Sequence, residues 1–107
     1  MTAKTIRVCS VDDIADGRVK MFKVDGHEGL VVRSGETFFA CDRYCTHEKF
    51  PLEFGRLKDG HKLCCTYHGA EFDLKTGEAL TLPARKPLAI YKVRVEGKDL
   101  LVEIPAA

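Results

Sequence analysis

The chain of 107 residues is predicted to be an all-β domain, an antiparallel sandwich or barrel. Three observations carry that expectation. Short runs of alternating polar and apolar residues recur along the whole sequence. Gly, Asp and Ser punctuate these runs where turns are needed. No stretch sustains a helical period.

Taken in order, Thr5–Cys9 alternates and is read as the first strand. Ser10 suits a helix N-cap, and Val11–Ala15 is read as one short helical turn behind it. Arg18–Val24 alternates again from Val19 and Met21 onward, and Asp25-Gly26 ends it as a turn. Gly29–Arg33 is a short apolar run, Ser34-Gly35-Glu36 a tight hairpin turn, and Thr37–Asp42 the returning strand. Arg56-Leu57 and Lys62–Cys65 flank Lys58-Asp59-Gly60-His61, and Asp-Gly between two alternating runs is a strong hairpin signal. Glu71–Leu74 runs into the turn Lys75-Thr76-Gly77. Leu88–Glu96, Gly97-Lys98-Asp99 and Leu100–Ile104 form a closing hairpin. Pro83 and Pro87 fall in a connecting segment, where no ladder needs their missing N–H.

A hydrophobic content of 45% suffices for one core, so residues 1–107 are read as a single domain without a large internal cavity. A segment from about residue 43 to 83 reads as an inserted subdomain that serves ligand motifs rather than an alternating core. The net charge is +1, with 17 basic and 16 acidic residues interspersed, and offers no attraction to nucleic acid or to a membrane surface. The opening MTAKTIRVCS has no apolar stretch of signal-peptide length, and nothing later approaches a membrane span. The expected location is therefore a reducing cytoplasm. There, five cysteines are read as metal ligands and buried thiols rather than a disulfide framework.

Two short motifs carry chemistry: Cys45-Thr46-His47 and Cys65-Thr66-Tyr67-His68, with 17 residues between His47 and Cys65. Each offers one thiolate and one imidazole. Donors this close in sequence let one turn aim both at the same place, and the Asp59-Gly60 hairpin brings the two turns together. Iron in a sulfide cluster favours soft thiolates and accepts imidazole as a borderline donor. A [2Fe–2S] centre with both cysteines on one iron and both histidines on the other uses this set. Tetrahedral zinc also uses two cysteines and two histidines, although zinc sites more often pair Cys with Cys and His with His.

With Gly69, Phe72-Asp73 and Thr76-Gly77 following the second motif, the pattern resembles the Rieske ferredoxins of bacterial aromatic ring-hydroxylating dioxygenase systems. The resemblance covers nearly the whole chain. It implies a Rieske fold with an inserted cluster-binding subdomain and one [2Fe–2S] cluster held by Cys45, His47, Cys65 and His68. A third loop containing Leu82-Pro83 would cover the cluster. It also implies an electron-transfer component rather than an enzyme. Such a component carries single electrons from an NAD(P)H-dependent flavin reductase to a terminal oxygenase of aromatic-compound catabolism. Contacts with both partners would be transient. Thr66 stands where many relatives have Pro, and Glu48-Lys49 where many have Gly, but neither departure removes a ligand. The ferredoxin of a diiron aromatic monooxygenase, the small subunit of an assimilatory nitrite reductase and a structural zinc module are the rival readings.

The same resemblance bears on redox potential. High-potential Rieske proteins place a disulfide where this chain has Phe50 and Tyr67, and hydroxyl donors where it has Ala70 and Phe72. Hydrogen bonds to sulfur stabilise the reduced cluster, so their loss predicts a low potential, roughly −150 mV. A catalytic oxygenase would need a further site of two histidines and a carboxylate, which His27 and His61 do not supply. There is no Gly-rich nucleotide fingerprint either.

The remaining candidates are read as structural. Adjacent strand residues face opposite ways, and the spacing to His68 selects Cys65 over Cys64, leaving Cys64 as a small buried residue. Cys9, Cys41 and Phe72 are expected in the core, and His27 and His61 in solvated turns. Leu52 is expected to pack beneath the first loop, while Phe50 suits either packing or an apolar docking rim. Asp73 is expected to fix the turn before Gly77.

Overall fold

The computed structural model describes residues 3–24, 26–45, 51–65, 69–81 and 86–105. They form β1 (Ala3–Ser10), β2 (Val19–Val24), β3 (His27–Ser34), β4 (Thr37–Asp42), β5 (Arg56–Lys58), β6 (Lys62–Cys64), β7 (Glu71–Asp73), β8 (Ile90–Glu96) and β9 (Asp99–Pro105). Single 3₁₀ turns occupy Val11–Asp13 and Leu52–Phe54. A six-stranded sheet runs β1-β9-β8-β4-β3-β2, and a three-stranded sheet runs β5-β6-β7, every pairing antiparallel. The all-β expectation holds. Among the described residues no helix is long and apolar enough to cross a membrane.

Local chemistry sets the connections. Ser10 caps the first 3₁₀ turn: its Oγ accepts from Asp12 N–H at 3.3 Å, and Asp13 Oδ2 accepts from Ser10 N–H at 2.9 Å. At the β5–β6 turn, Asp59 (φ 53°) and Gly60 (φ 76°) both take the left-handed conformation that a tight hairpin demands. Gly97-Lys98 alone connect β8 to β9, because Asp99 pairs with Glu96 as a strand residue instead of completing the expected turn.

Two cores share the large sheet. Phe22, Val31, Ala40, Leu100, Val102 and Ile104 come from strands along its whole width, so the sheet curls around them into a nearly closed barrel. Leu30, Val32 and Cys41 point the other way and pack with Leu52, Leu63 and Phe72 of the smaller sheet's segment. β3 is thus covered on both faces, which explains its unbroken apolar run.

The sheets correct three expectations. Met21 is 39% exposed and its neighbour Phe22 is buried, the reverse of the predicted facing. Phe22 lies opposite Gly29, where a Cβ would sit only 2.5 Å from its ring, so the missing side chain makes room for the aromatic. The inserted segment has an alternating core of its own, because Leu63 and Phe72 are fully buried between half-buried neighbours. His27 lies on β3 rather than in a solvated turn, and its Nε2 is 2.6 Å from Tyr91 Oη.

Candidate metal centre

The first motif leaves the end of β4 through Arg43-Tyr44-Cys45. The chain returns at Pro51, which bridges Tyr44, and Leu52 N–H donates to Arg43 O at 2.6 Å. Side chains tighten this base. Arg43 donates from Nε to Glu53 Oε1 at 2.7 Å and from Nη2 to Glu53 Oε2 at 3.0 Å. Its Nη1 donates to Glu28 Oε1 at 2.8 Å, and Tyr44 O–H donates to the other Glu28 oxygen at 3.1 Å. These bonds, that to Glu53 first, raise the Arg43 pKa further. The Tyr44 hydroxyl and then Arg43 hold the Glu28 carboxyl below its ordinary range.

The second motif follows β6. Cys65 N–H donates to Ala70 O at 2.7 Å and Gly69 N–H to Cys65 O at 2.8 Å, which pins Gly69-Ala70 to Cys65. Leu80 and Thr81 are fixed to the same stretch. Leu80 N–H donates to Glu71 O at 2.7 Å, while Thr81 Oγ1 accepts from Glu71 N–H at 2.9 Å and donates to Gly69 O at 3.3 Å.

Gly55 sets the chain that follows the first motif against the chain that precedes the second. A Cβ there would lie 2.4 Å from Cys64 O and 3.0 Å from Leu52 O, so only hydrogen fits where the chain leaving one loop touches the chain entering the other. Cys45 (6% exposed) and Cys65 (2%) are consequently buried in the same core. Cys64 is half-buried rather than buried, a correction that follows from its row: it pairs with Arg56 and Glu71, away from Leu63 and Phe72. Cys9 and Cys41 are core residues as expected, and burial pushes both thiols up, which disfavours the thiolate a metal requires. Leu52 and Phe72 are fully buried, also as expected. Asp73 fixes its turn by accepting from Lys75 N–H at 2.9 Å through Oδ1 and from Gly77 N–H at 2.6 Å through its carbonyl.

His47 and His68 lie outside the described residues, as do Thr66, Tyr67, Glu48, Lys49, Phe50, Leu82 and Pro83. Two of the four expected donors are therefore located. Among the described residues no three His, Cys, Asp or Glu side chains are set to hold a metal ion, and no disulfide ties up any of the five cysteines. Two unbridged thiols buried in one core, each with a histidine two or three positions on in sequence, fit the thiolate side of an iron–sulfur cluster. The Arg43–Glu53 pair carries no sequence signal, since ten positions separate partners joined only by the loop's return.

The Rieske [2Fe-2S] domain family matches residues 4–92. The chain belongs to the Rieske family. The 3-phenylpropionate/cinnamic acid dioxygenase ferredoxin subunit of Escherichia coli is 37% identical to this Rieske protein over 102 residues, covering 95% of each chain. The ferredoxin of carbazole 1,9a-dioxygenase from Nocardioides aromaticivorans superimposes with a TM-score of 0.88 at 33% identity, over 95% of this chain and 98% of that one. A chain from the complex of reduced oxygenase and oxidized ferredoxin in carbazole 1,9a-dioxygenase gives 0.84 at 30% identity, over 92% and 91%. The protein is a Rieske-type ferredoxin of bacterial aromatic-ring dioxygenase systems, an electron-transfer component with one [2Fe–2S] cluster and not itself an oxygenase.

Proposed function

We propose that Cys45, His47, Cys65 and His68 hold the cluster, and that this ferredoxin passes single electrons from an NAD(P)H-dependent flavin reductase to a terminal ring-hydroxylating oxygenase. The observation that carries the ligand assignment is the burial of Cys45 and Cys65 in one core, with the chain between the motifs brought against Cys64 at Gly55. The two thiolates would serve one iron and the two imidazoles the other. The bound cluster supplies one-electron redox chemistry. Around the thiolates, Leu52, Leu63 and Ala70 exclude water.

The potential belongs near the bottom of the Rieske range, roughly −150 mV. Ala70 and Phe72 support this: both are fully buried and carry no hydroxyl to donate to sulfur. The chain acts as one domain, 1–107, with the cluster-binding subdomain spanning about 43–83. A cytoplasmic location suits five cysteines without a disulfide among the described residues. Contacts with reductase and oxygenase are small and transient.

The test is spectroscopic. Visible absorption and low-temperature EPR of the dithionite-reduced protein should give a Rieske signal, and a redox titration a negative midpoint. A colourless preparation with one divalent ion and no inorganic sulfide would return the zinc reading. A clearly positive midpoint would remove the low-potential assignment.

A further inference from the structure

Arg43 stands immediately before the first cluster loop and Glu53 immediately after it, and a two-pronged ion pair joins them at 2.7 and 3.0 Å. The third arm of the guanidinium reaches Glu28 on β3 at 2.8 Å. Each partner has a separate mechanical meaning. Glu53 fixes how far apart the two ends of the loop stand. Glu28 fixes the loop to the barrel. All three side chains are mostly shielded, with exposures of 19%, 27% and 18% for Arg43, Glu28 and Glu53. In such a setting a forked guanidinium holds a defined geometry, whereas a lysine ammonium offers a point charge with no fork.

We propose that Arg43 is a positioning residue for the cluster: its fork on Glu53 and its bond to Glu28 hold the chain on either side of the first motif together and against β3, and thereby place the Cys45 donor. The inference rests on the ligand assignment above. It requires no change of protonation. Groups that orient ligands from behind alter metal affinity by about 10- to 100-fold when removed.

The experiment compares four holoproteins: wild type, Arg43→Lys, Glu53→Gln and, as a control, Arg33→Lys. Arg33 sits at the other end of β3 and braces the barrel by donating to Gly35 O and Ile14 O, both at 2.8 Å. The readouts are the EPR spectrum of the reduced protein, the midpoint potential and the rate of iron loss to a chelator. Arg43→Lys conserves charge, so any movement of its potential or g-values reports geometry. The expected result is about tenfold faster iron loss and an altered EPR spectrum in Arg43→Lys and Glu53→Gln, with Arg33→Lys matching wild type. Should Arg43→Lys fail to fold, Glu53→Gln, which keeps size and an acceptor, decides alone. A normal wild-type signal with both loop variants unchanged overturns the positioning role and leaves the ligands standing. Equal changes in the Arg33 control overturn it too. A wild type without a Rieske signal overturns the ligand assignment itself.

Discussion

His27 Nε2 lies 2.6 Å from Tyr91 Oη, and the same hydroxyl donates its proton to Asp42. A phenol has one proton to give. His27 is therefore the donor to Tyr91, and its neutral form is the Nε2–H tautomer. The three side chains bridge β3, β4 and β8 where the barrel is most thinly joined. There β4 meets β8 through two residue pairs, Ala40 with Tyr91 and Cys41 with Ile90, supplemented by Asp42 N–H donating to Ala89 O at 2.9 Å. The chain runs from Asp42 directly into Arg43-Tyr44-Cys45, so the seam adjoins the start of the first motif.

Tyr91→Phe should lower stability by about 0.5–1.5 kcal/mol, because it removes the hydroxyl shared by His27 and Asp42, both of which water can still reach. Urea unfolding checks this. The pH dependence has a definite sign. Burial, then the bond to Asp42, raises the Tyr91 pKa above its ordinary value of about 10. A group with a raised folded pKa contributes stability in full below the unfolded pKa, and loses it as pH rises through the folded one. Wild-type stability should therefore fall from about pH 10 upward, and Tyr91→Phe should fall less steeply. Parallel pH profiles for the two proteins would contradict this account of the seam.

Gly55→Ala should cost about 1–3 kcal/mol and reduce the iron retained per chain, since the new methyl meets backbone at Cys64 O that has no free rotor to move aside. Chemical denaturation and iron analysis measure the two effects. A variant as stable and as iron-rich as wild type would mean that the loops do not need this close approach.

His68→Ala should abolish the Rieske spectrum and electron transfer together. Absorption, EPR and a reductase-coupled assay follow the loss. An unaltered spectrum in that variant would remove His68 from the ligand set.

Ala70→Ser offers a hydroxyl at a fully buried position beside the second loop. A hydrogen bond to cluster sulfur worth about 1 kcal/mol corresponds to a midpoint roughly 40 mV higher for a one-electron couple. Redox titration reads the shift. If the hydroxyl finds no acceptor, the midpoint stays put and the protein instead loses about 1–3 kcal/mol of stability.

What could be read from the sequence was what short-range chemistry dictates. Asp59-Gly60 announced a hairpin because two successive left-handed residues are cheap for few side chains. Ser10 announced a capped turn because a cap and the N–H it accepts from lie two positions apart. Cys45 with His47, and Cys65 with His68, drew attention because one turn can aim two donors, and the structure buries the two cysteines in one core. Tertiary structure alone decided the rest. It put Phe22 inside and Met21 outside because Gly29, on the neighbouring strand, leaves space for a ring. It turned Cys64 outward by pairing it with Arg56 and Glu71. It took His27 from an expected turn to a partner 64 positions away, and Arg43 across a loop to Glu53. Those outcomes depend on which strands become neighbours, and no local pattern encodes the meeting of surfaces so far apart along the chain.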